Sequence, residues 1–381
     1  MNKSKLFVLA ILAILAFGVQ PASAKVITVD DNGADCRKAD FNTIQAAVTA
    51  ASPGDTIKVC AGTYTEQVTI PAGKNGLTLR SHTPLAAIIK APPVMAVPKA
   101  IVRVNGAQDV TIYAFTIAGP GGGPCDSIRF GVRVDGGGSA TISHNSIIDI
   151  RDNPFSGCQN GNAIQIGRQF EGQTGTATII KNKIDRYQKT GIIVDNAGSS
   201  AEIRDNEITG IGPTPVIAQN GVQISRGAAA SVLNNEISQN QFAPQTAAST
   251  GVILFQPGAV SIEHNTLSNN DESIYSISAA GPIISHNKIS SNTFDGIGLQ
   301  DTTGATVSHN FSEGNGFDGI YVFSDSSNNT ITNNQMEDDA EHDAHDDSVG
   351  PGTGGTANIW EKNHCGSPNP ENKPGLCDQT N

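Results

Sequence analysis

Two aspartates and two arginines occupy related places in a recurring segment of the Gly–x–x–Val type. Arg133 and Asp135 lie within and directly after one copy, while Asp195 and Arg226 follow later copies. If the copies stack at ~4.8 Å, the Cα atoms of Asp135 and Asp195, two repeats apart, are separated by about 10 Å. That distance is near the upper edge of the ~6.5–9.5 Å carboxyl separation of inverting glycosidases, and too wide for direct retention. Since a guanidinium group binds a sugar carboxylate well, these four residues are candidate catalytic groups for acid–base chemistry on a sugar.

Five further side chains are predicted to bind a substrate on the same strands. Side chains alternate between the two faces of a strand, so every second residue of each copy points outward. The set comprises Gln165, Gln223, Phe255 and Tyr321 at such positions, together with Arg168, whose guanidinium could neutralise a uronate carboxylate. The outward positions are polar and charged in the amino-terminal half, and apolar and aromatic in the carboxy-terminal half. Long connections at residues 145–163, 206–221 and 235–251, with an insertion at 167–176 on the opposite side, are expected to wall a cleft around the polar half.

A dense acidic segment at residues 337–347 carries candidate metal ligands. They are Asp338, Asp339, His342, His345 and Asp346. Carboxylates suit Ca²⁺, whereas the two imidazoles suit a transition metal. Neither EF-hand spacing nor an HExxH motif occurs, and a solvated acidic loop is the alternative interpretation.

A repeat with two motifs must position all of these side chains. An apolar–x–x–Asn–x–apolar motif recurs with its asparagine at Asn145, Asn182, Asn206, Asn235, Asn265, Asn287, Asn310 and Asn334. The Gly–x–x–Val motif recurs with its glycine at Gly131, Gly191, Gly221, Gly251, Gly296 and Gly319. From each glycine to the next asparagine there are 14 or 15 residues, whereas the return takes 9 residues in short coils and 15 or 16 in long ones. One side of each coil therefore has a fixed length, and the other accepts loops.

This repeat predicts an all-β solenoid of about ten coils, with three short strands in each coil. Apolar residues alternate along the strands and no helical stripe occurs, which excludes helical repeats. Asparagine suits a tight turn because it tolerates the left-handed conformation and hydrogen-bonds to neighbouring backbone. If the coils stack in register, Asn265, Asn287 and Asn310 form a line, and each side-chain amide can bond to the next.

The ends of the chain differ from the repeats. Residues 1–24 have the basic start, apolar run and small-residue cleavage site of a signal peptide, with Lys25 as the first mature residue. Residues 25–109 are predicted to form an amino-terminal cap and irregular first coils, including a short capping helix at 40–51. Residues 110–360 are predicted to form the repeats, and 361–381 a disulfide-closed tail. An even number of cysteines in an exported chain indicates disulfides. Among 15 possible pairings we favour nearest neighbours: Cys36–Cys60, Cys125–Cys158 and Cys365–Cys377.

The charge balance limits the partners. Without the signal peptide the chain has 22 basic and 36 acidic residues, a formal charge of −14. Such a surface repels polyanions unless a local basic patch or a cation intervenes, so nucleic acid is excluded as an expected partner. No long apolar stretch follows residue 24. We therefore expect a secreted or periplasmic protein without a membrane anchor in the mature chain.

The repeat resembles that of the pectin-lyase-like superfamily of right-handed parallel β-helices over nearly the whole mature chain, and it is also similar to the periplasmic copper-binding β-helix family. Residues 41–48 (Phe-Asn-Thr-Ile-Gln-Ala-Ala-Val), 54–57 (Gly-Asp-Thr-Ile) and 62–66 (Gly-Thr-Tyr-Thr-Glu) are similar to the start of pectin methylesterases. The resemblance implies a single-stranded right-handed parallel β-helix whose ligand groove follows the Gly–x–x–Val strand. The catalytic signatures of polygalacturonases, alginate epimerases, pectate lyases and methylesterases are missing, so the fold alone carries over.

The leading hypothesis is a secreted protein that binds an extracellular polysaccharide along this groove. Hydrolysis, elimination and epimerisation all remain open as reactions. The alternative is a non-catalytic, adhesin-like or metal-binding solenoid, which would present a flat, solvated face at Asp135 and Asp195. A copper-handling role is weakened because only Met95 and Met336 remain in the mature chain.

Overall fold

Each coil of the chain contributes one short strand to each of three parallel sheets. In the computed structural model, which describes residues 24–378, sheet A has 13 strands, sheet B has 12 and sheet C has 11. The first strand of the chain pairs with the second, and from there on each strand pairs in parallel with the strand three places later, which confirms the predicted parallel β-helix. The coils slightly outnumber the predicted ten because the first ones, at residues 26–118, lack the asparagine motif. The predicted signal peptide lies outside the described residues, except for Ala24.

The strands are numbered in chain order. The first twelve are β1 (Val26–Val29), β2 (Thr56–Val59), β3 (Gly62–Thr65), β4 (Val68–Pro71), β5 (Thr78–Ser81), β6 (Ala87–Lys90), β7 (Ala100–Asn105), β8 (Val110–Tyr113), β9 (Thr116–Ala118), β10 (Phe130–Asp135), β11 (Gly138–Ser143) and β12 (Ser146–Ile148). The next twelve are β13 (Asn162–Ile166), β14 (Gly175–Ile180), β15 (Lys183–Asp185), β16 (Thr190–Asp195), β17 (Ser200–Arg204), β18 (Glu207–Thr209), β19 (Asn220–Ser225), β20 (Ala229–Leu233), β21 (Glu236–Ser238), β22 (Thr250–Phe255), β23 (Val260–Glu263) and β24 (Thr266–Ser268). The last twelve are β25 (Glu272–Ile277), β26 (Ile283–Ser285), β27 (Lys288–Ser290), β28 (Ile297–Gln300), β29 (Thr306–Ser308), β30 (Phe311–Glu313), β31 (Ile320–Val322), β32 (Thr330–Thr332), β33 (Gln335–Glu337), β34 (Ala344–Asp346), β35 (Ile359–Glu361) and β36 (His364–Cys365). Sheet A runs from β1 through β2 to β35, sheet B from β3 to β36, and sheet C from β4 to β34.

The repeated asparagines stack into a hydrogen-bonded ladder at the turn between sheets A and B. In neighbouring coils the side-chain Nδ2 of one asparagine donates to Oδ1 of the next. Asn265, Asn287 and Asn310 follow one another at 3.0 Å and 2.9 Å, as predicted. The ladder begins at Asn145 and ends at Asn363. Because these amides are buried, each hydrogen bond satisfies a group that would otherwise be costly to bury.

A second ladder, which the repeat motifs did not reveal, lies at the turn between sheets B and C. Asn240, Asn270, Asn292 and Asn315 bond in the same way through side-chain or backbone amides. Asp339 ends the series by accepting a hydrogen bond from Nδ2 of Asn315 at 2.7 Å.

The amino-terminal cap contains the one α-helix of residues 24–378, α1 (Ile44–Ala50). It is shorter than the predicted span of 40–51. Thr43 caps its first turn, and Phe41 before it forms a β-bridge with Val29. Ile44 and Val48 are buried over the end of the core, as the capping role requires.

Disulfides close both ends of the solenoid and one of its loops. Cys36–Cys60, Cys125–Cys158 and Cys365–Cys377 are all bonded, which confirms the nearest-neighbour pairing. Trp360 lies in β35, at the predicted end of the repeats, and β36 follows within the predicted tail. Two short 3₁₀ turns, at Gln169–Glu171 and Thr353–Gly355, complete the regular structure. No helix within residues 24–378 has the length and apolar character needed to cross a membrane.

Candidate functional site

Two rows of outward side chains run along sheet C in the register expected from strand alternation. The middle row comprises Arg103, Arg133, Gln165, Ile193, Gln223, Ile253, Tyr275, Gly298, Tyr321 and His345. The row at the carboxyl end of the strands includes Asn105, Asp135, Asp195, Ser225 and Phe255. Side chains from distant coils therefore become direct neighbours at intervals of ~4.8 Å.

A third row lies at the amino end of the same strands, and alternation alone did not reveal it. It contains Phe130, Asn162, Thr190, Asn220, Thr250 and Glu272, and continues through Asp295, Asp318 and His342. The repeat glycine and the apolar residue after it both face the core, since a Cβ on Gly131 would meet Ile150 and Ile147. The chain therefore bends, and the residue before each glycine returns to the outer face.

The amino-terminal end of the face is a buried network of ion pairs. Nε and Nη2 of Arg103 each donate to the carboxylate of Asp135 at 2.9 Å, and Nε of Arg133 lies 2.6 Å from its Oδ2. Arg133 also pairs with Glu171. The side chains of Arg133 and Asp135 are both 0 % exposed. A carboxylate enclosed in this way cannot contact a ligand, so the structure places Asp135 and Arg133 beneath the site rather than in it.

Next to this network, a cleft of about 270 Å³ brings together five residues predicted from sequence. They are Gln165, Arg168, Asp195, Gln223 and Arg226. Six further lining residues were missed: Gln159, Asn162, Phe170, Lys189, Thr190 and Ile193. Asn162 and Thr190 belong to the third row. The polar positions of three neighbouring coils therefore converge as the repeat spacing predicted.

Asp195 is fixed by three partners at the floor of the cleft. Nη1 of Arg226 donates to it at 3.0 Å, the hydroxyl of Ser225 at 2.8 Å and the backbone N–H of Gln169 at 2.8 Å. The residue is 2 % exposed. Its carboxylate therefore holds Arg226 and the adjoining loop in place.

The insertion at residues 167–174 forms one wall of the cleft, as predicted. It makes a 3₁₀ turn at Gln169–Glu171, closed by a bridge between Arg168 and Gln173. At its tip Phe170 is 74 % exposed. The guanidinium carbon of Arg226 lies 4.8 Å from the Phe170 ring centroid and 5.7 Å from that of Phe255. An aromatic side chain this exposed beside a cation is typical of a binding surface.

Lys189 adds a third cation to Arg168 and Arg226 in the cleft. Its Nζ donates to the carbonyl oxygen of Ala218 at 2.7 Å, and burial lowers its pKa. No ion pair involving this lysine occurs among residues 24–378. The sequence signal for it was weak because Lys189 lies one residue before the third row.

Tyr321 lies far from the cleft, although it was predicted to bind the same substrate. It is on β31, six strands from Gln165 on β13, or about 29 Å along the sheet. This carboxy-terminal half of the face was expected to be apolar and aromatic. Tyr275, Tyr321 and Phe323 are present as expected and contact one another, but the third row adds acidic side chains beside them.

Glu272, Asp295 and Asp318 lie in adjacent coils, and none of them has a guanidinium partner among residues 24–378. Burial is the main cause that raises the pKa of Asp295 to about 7; the hydrogen bond from the backbone N–H of Asp318 opposes this shift, and the charge of the Asp318 carboxylate adds to it. Burial also raises the pKa of Glu272 well above its usual range, with Asp295 as the next cause. The side chain of Glu272 packs against Gly298, and a Cβ atom at position 298 would lie 2.1 Å from Oε1 of Glu272. That oxygen has no hydrogen-bond partner among residues 24–378.

The candidate metal ligands separate into different environments. Asp338 is exposed, Asp339 ends the second asparagine ladder, and Asp346 accepts hydrogen bonds from Trp360 and Ser348 in the core of the last coil. His342 and His345 do meet, and their third neighbour is Asp318, one coil earlier. Sequence reasoning missed Asp318 because it lies outside the acidic segment, although its distance from His342 equals one coil.

Comparison with known proteins identifies the fold. Residues 162–336 match the family model of the right-handed β-helix region. The predicted right-handed parallel β-helix repeat is thereby confirmed. No match among curated protein sequences was found.

Solved structures of similar fold share little sequence identity with the chain. A complex of XylC with xylose has a TM-score of 0.59 at 14% identity, covering 82% of this chain and 75% of that one. A lacto-N-biosidase from Eubacterium ramulus has a TM-score of 0.61 at 12% identity, with 90% and 68% covered. The A-module of the Azotobacter vinelandii mannuronan C-5 epimerase AlgE4 has a TM-score of 0.53 at 13% identity, with 89% and 94% covered. These likenesses concern the fold.

Proposed function

We propose that this right-handed parallel β-helix repeat protein binds an acidic, uronate-containing polysaccharide in the cleft of sheet C. The observation that carries the proposal is the meeting of three cations in one polar cleft, beneath an exposed aromatic ring. Arg168, Lys189 and Arg226 line the cleft, and Phe170 stands at its rim. The ligand would be extracellular or periplasmic, because three disulfides favour a compartment outside the cytoplasm.

The local charge of the cleft opposes the charge of the whole protein. The mature chain is strongly acidic and repels polyanions at long range. In the cleft the three cations are balanced by Asp195 and, behind Arg168, by Glu171 at 3.0 Å. Since an arginine fork can bind a carboxylate through two parallel hydrogen bonds, the remaining positive charge favours an acidic sugar over a neutral one.

The uncharged groups of the cleft suit sugar hydroxyls. Nδ2 of Asn162 donates to Oε1 of Gln165 at 3.1 Å, and Nε2 of Gln165 donates to the carbonyl oxygen of Gly167 at 2.6 Å. Oδ1 of Asn162 is buried and has no partner among residues 24–378. A buried acceptor without a partner is costly, and a ligand hydroxyl would satisfy it.

The same geometry favours binding over turnover. Asp195 is bound by Arg226, Ser225 and Gln169, and Asp135 is sealed beneath the floor. A reaction that used Asp195 as acid or base would require this carboxylate to release its three partners before it could move a proton. Solved relatives of the fold include an epimerase acting on mannuronan and a lacto-N-biosidase, which supports a carbohydrate ligand without assigning a reaction.

Isothermal titration of the mature protein with oligogalacturonate and with its methyl ester tests the proposal. We expect the acid to bind at least about tenfold more tightly, because a hydrogen bond to a charged group contributes about 1.5–3 kcal/mol. Arg168→Gln should remove most of this preference. Arg204→Gln, on sheet A with its own acidic partners, is the matched control and should retain it. Equal affinity for acid and ester would contradict the proposal.

A product assay separates binding from chemistry. We expect no unsaturated uronate and no new reducing ends when the protein is incubated with polygalacturonate or alginate. Product formation by the wild type that is lost in Asp195→Asn would assign a catalytic role to Asp195 and contradict binding without turnover.

A further inference from the structure

Two histidines and an aspartate converge at the carboxy-terminal end of the outer face of sheet C. Nδ1 of His345 lies 2.9 Å from Oδ2 of Asp318, and Nδ1 of His342 lies 3.4 Å from Oδ1 of the same carboxylate. One ligand atom from each residue falls within 4.8 Å of the other two. Asp318 and His342 come from the third row and His345 from the middle row, so the stacking of coils places all three.

These three side chains are pre-positioned by the backbone around them. The backbone N–H of His342 donates to Oδ1 of Asp318 at 3.0 Å, which fixes the carboxylate. The side chain of Asp318 is 4 % exposed, and those of the two histidines are 21 % and 17 % exposed. The group therefore needs no loop closure to assemble.

A chain of outer hydrogen bonds orients His345. Its Nε2 lies 3.1 Å from Oδ1 of Asp347, and the hydroxyl of Tyr321 donates to Oδ2 of the same residue at 2.9 Å. A histidine that ligates a metal almost always donates its other ring nitrogen to a carboxylate or carbonyl group. The Tyr321–Asp347–His345 chain provides this arrangement and leaves Nδ1 for the ion.

An ion pair alone does not account for the group. A protonated His345 between Asp318 and Asp347 would explain one imidazole. His342 would then lie beside the same carboxylate with its buried Nδ1 lacking any hydrogen bond to residues 24–378. Glu341 adds negative charge near the group, and Asp295 adds more when it is ionised, since both line the cavity beside Asp318 and His345. A bound cation would satisfy the orphaned nitrogen and offset this charge.

The donor set selects the kind of ion. Two imidazole nitrogens with one carboxylate suit Zn²⁺ and neighbouring transition metals, whereas Ca²⁺ takes six to eight oxygen ligands. Three protein ligands leave at least one coordination position open. The open coordination position would face a cavity of about 270 Å³, which Phe294, Phe317 and Tyr321 line together with Asp318 and His345.

We propose that Asp318, His342 and His345 form a binding site for a divalent transition-metal ion of the zinc type. The inference is independent of the polysaccharide proposal, since the two sites share no residue. The open position and the aromatic cavity around it would let a small anionic or hydroxyl ligand reach the ion.

Titration with Zn²⁺, and with Co²⁺ as a spectroscopic probe, tests the proposal on the chelator-treated mature protein. We expect one ion per chain and visible absorption bands of low-coordinate Co²⁺ with histidine ligands. His342→Ala and His345→Ala should each abolish the bands. Asp347→Asn should weaken Zn²⁺ binding by about 10–100-fold, as expected for loss of an outer-shell partner.

The matched control is another histidine site on the same protein. His264, His286 and His309 stack at 4.8 Å between ring centroids on the exposed turn between sheets A and B, so His286→Ala removes a histidine without touching the proposed ligands. It should leave the stoichiometry and the Co²⁺ spectrum unchanged. Far-ultraviolet circular dichroism confirms that each variant is folded. Absence of Zn²⁺ and Co²⁺ binding, binding that survives His345→Ala in a folded protein, or binding of Ca²⁺ alone would overturn the proposal.

Discussion

The two halves of the outer face of sheet C share one backbone frame and differ in how their charges are paired. In the amino-terminal half each buried carboxylate has a guanidinium partner, as Asp135 has in Arg103 and Arg133, and Asp195 has in Arg226. In the carboxy-terminal half Glu272, Asp295 and Asp318 lie in adjacent coils, and the sequence contains no arginine after Arg226. A repeat scaffold thus determines where side chains meet, whereas the distribution of arginine determines whether the meeting point favours an anion or a cation.

The largest expected effect comes from removing a guanidinium group from the amino-terminal network of ion pairs. Arg133→Ala removes one of the largest fully buried side chains together with its ion pairs to Asp135 and Glu171. Asp135 keeps its pair with Arg103, so we expect the cavity to be the main cost and the free energy of unfolding to fall by about 2–5 kcal/mol. Arg168→Ala, which removes a side chain 26 % exposed, should cost much less. Urea unfolding of both variants measures this. Equal decreases would show that the network beneath the cleft is not the stabilising element.

The second change tests the asparagine ladder, which stabilises the coils of both halves. Asn265→Ala removes a buried rung, which leaves the backbone N–H of Asn235 without its acceptor, while the side-chain amide of Asn235 keeps its bonds to the carbonyl oxygens of Ile203 and Leu233. We expect the free energy of unfolding to fall by about 1–3 kcal/mol because of the unsatisfied groups. Affinities for oligogalacturonate and Zn²⁺ should both be unchanged in the folded variant. A selective loss of one ligand would show that the two halves are coupled through the ladder.

The third change addresses the unpaired acids of the carboxy-terminal half. The raised pKa of Glu272 means that the folded state favours the neutral acid, while the unfolded chain ionises at the usual pKa. Wild-type stability should therefore fall as the pH rises above that usual value. Glu272→Gln keeps the neutral form, so the difference in free energy of unfolding between the variant and the wild type should grow in favour of the variant between pH 5 and pH 8. Thermal unfolding across this pH range is the measurement, and an advantage that does not change with pH would contradict the assignment.

The smallest expected effect on stability comes from the exposed aromatic rings. Phe170→Ala at the cleft and Phe317→Ala at the carboxy-terminal cavity should each change the free energy of unfolding by less than about 1 kcal/mol, since neither ring is buried. Only Phe170→Ala should weaken oligogalacturonate binding. If both variants weakened oligogalacturonate binding equally, the assignment of this ligand to the amino-terminal half would be contradicted.

The features that depend on the period of the repeat could be predicted from the sequence. The asparagine ladder and the convergence of Gln165, Asp195 and Gln223 both follow from register, because residues one coil apart become neighbours. The third row was missed because the repeat glycine and its successor both face inward, which breaks simple alternation. The residues before the glycines, such as Thr190, Asp295 and Asp318, are polar, and this was the available signal.

The fate of Asp135 could not be predicted from the repeat. Its partners come from Arg103, in an early coil without the asparagine motif, and from Arg133, whose other partner Glu171 lies in an insertion that folds back over the strand. Residues in irregular segments have no fixed position relative to the neighbouring coils, so their contacts depend on tertiary packing and cannot be derived from the repeat spacing. The metal ligands were predicted from local composition, which identified both histidines and could not supply the carboxylate one coil away.

Hydrogen–deuterium exchange of the mature protein with saturating oligogalacturonate tests most directly whether the amino-terminal half is the anion-binding half. We expect slower exchange at backbone amides of residues 167–174, 189–195 and 220–226, with residues 294–322 and 341–347 unchanged. Protection confined to the carboxy-terminal segments, or the same protection pattern with the methyl ester, would contradict this assignment.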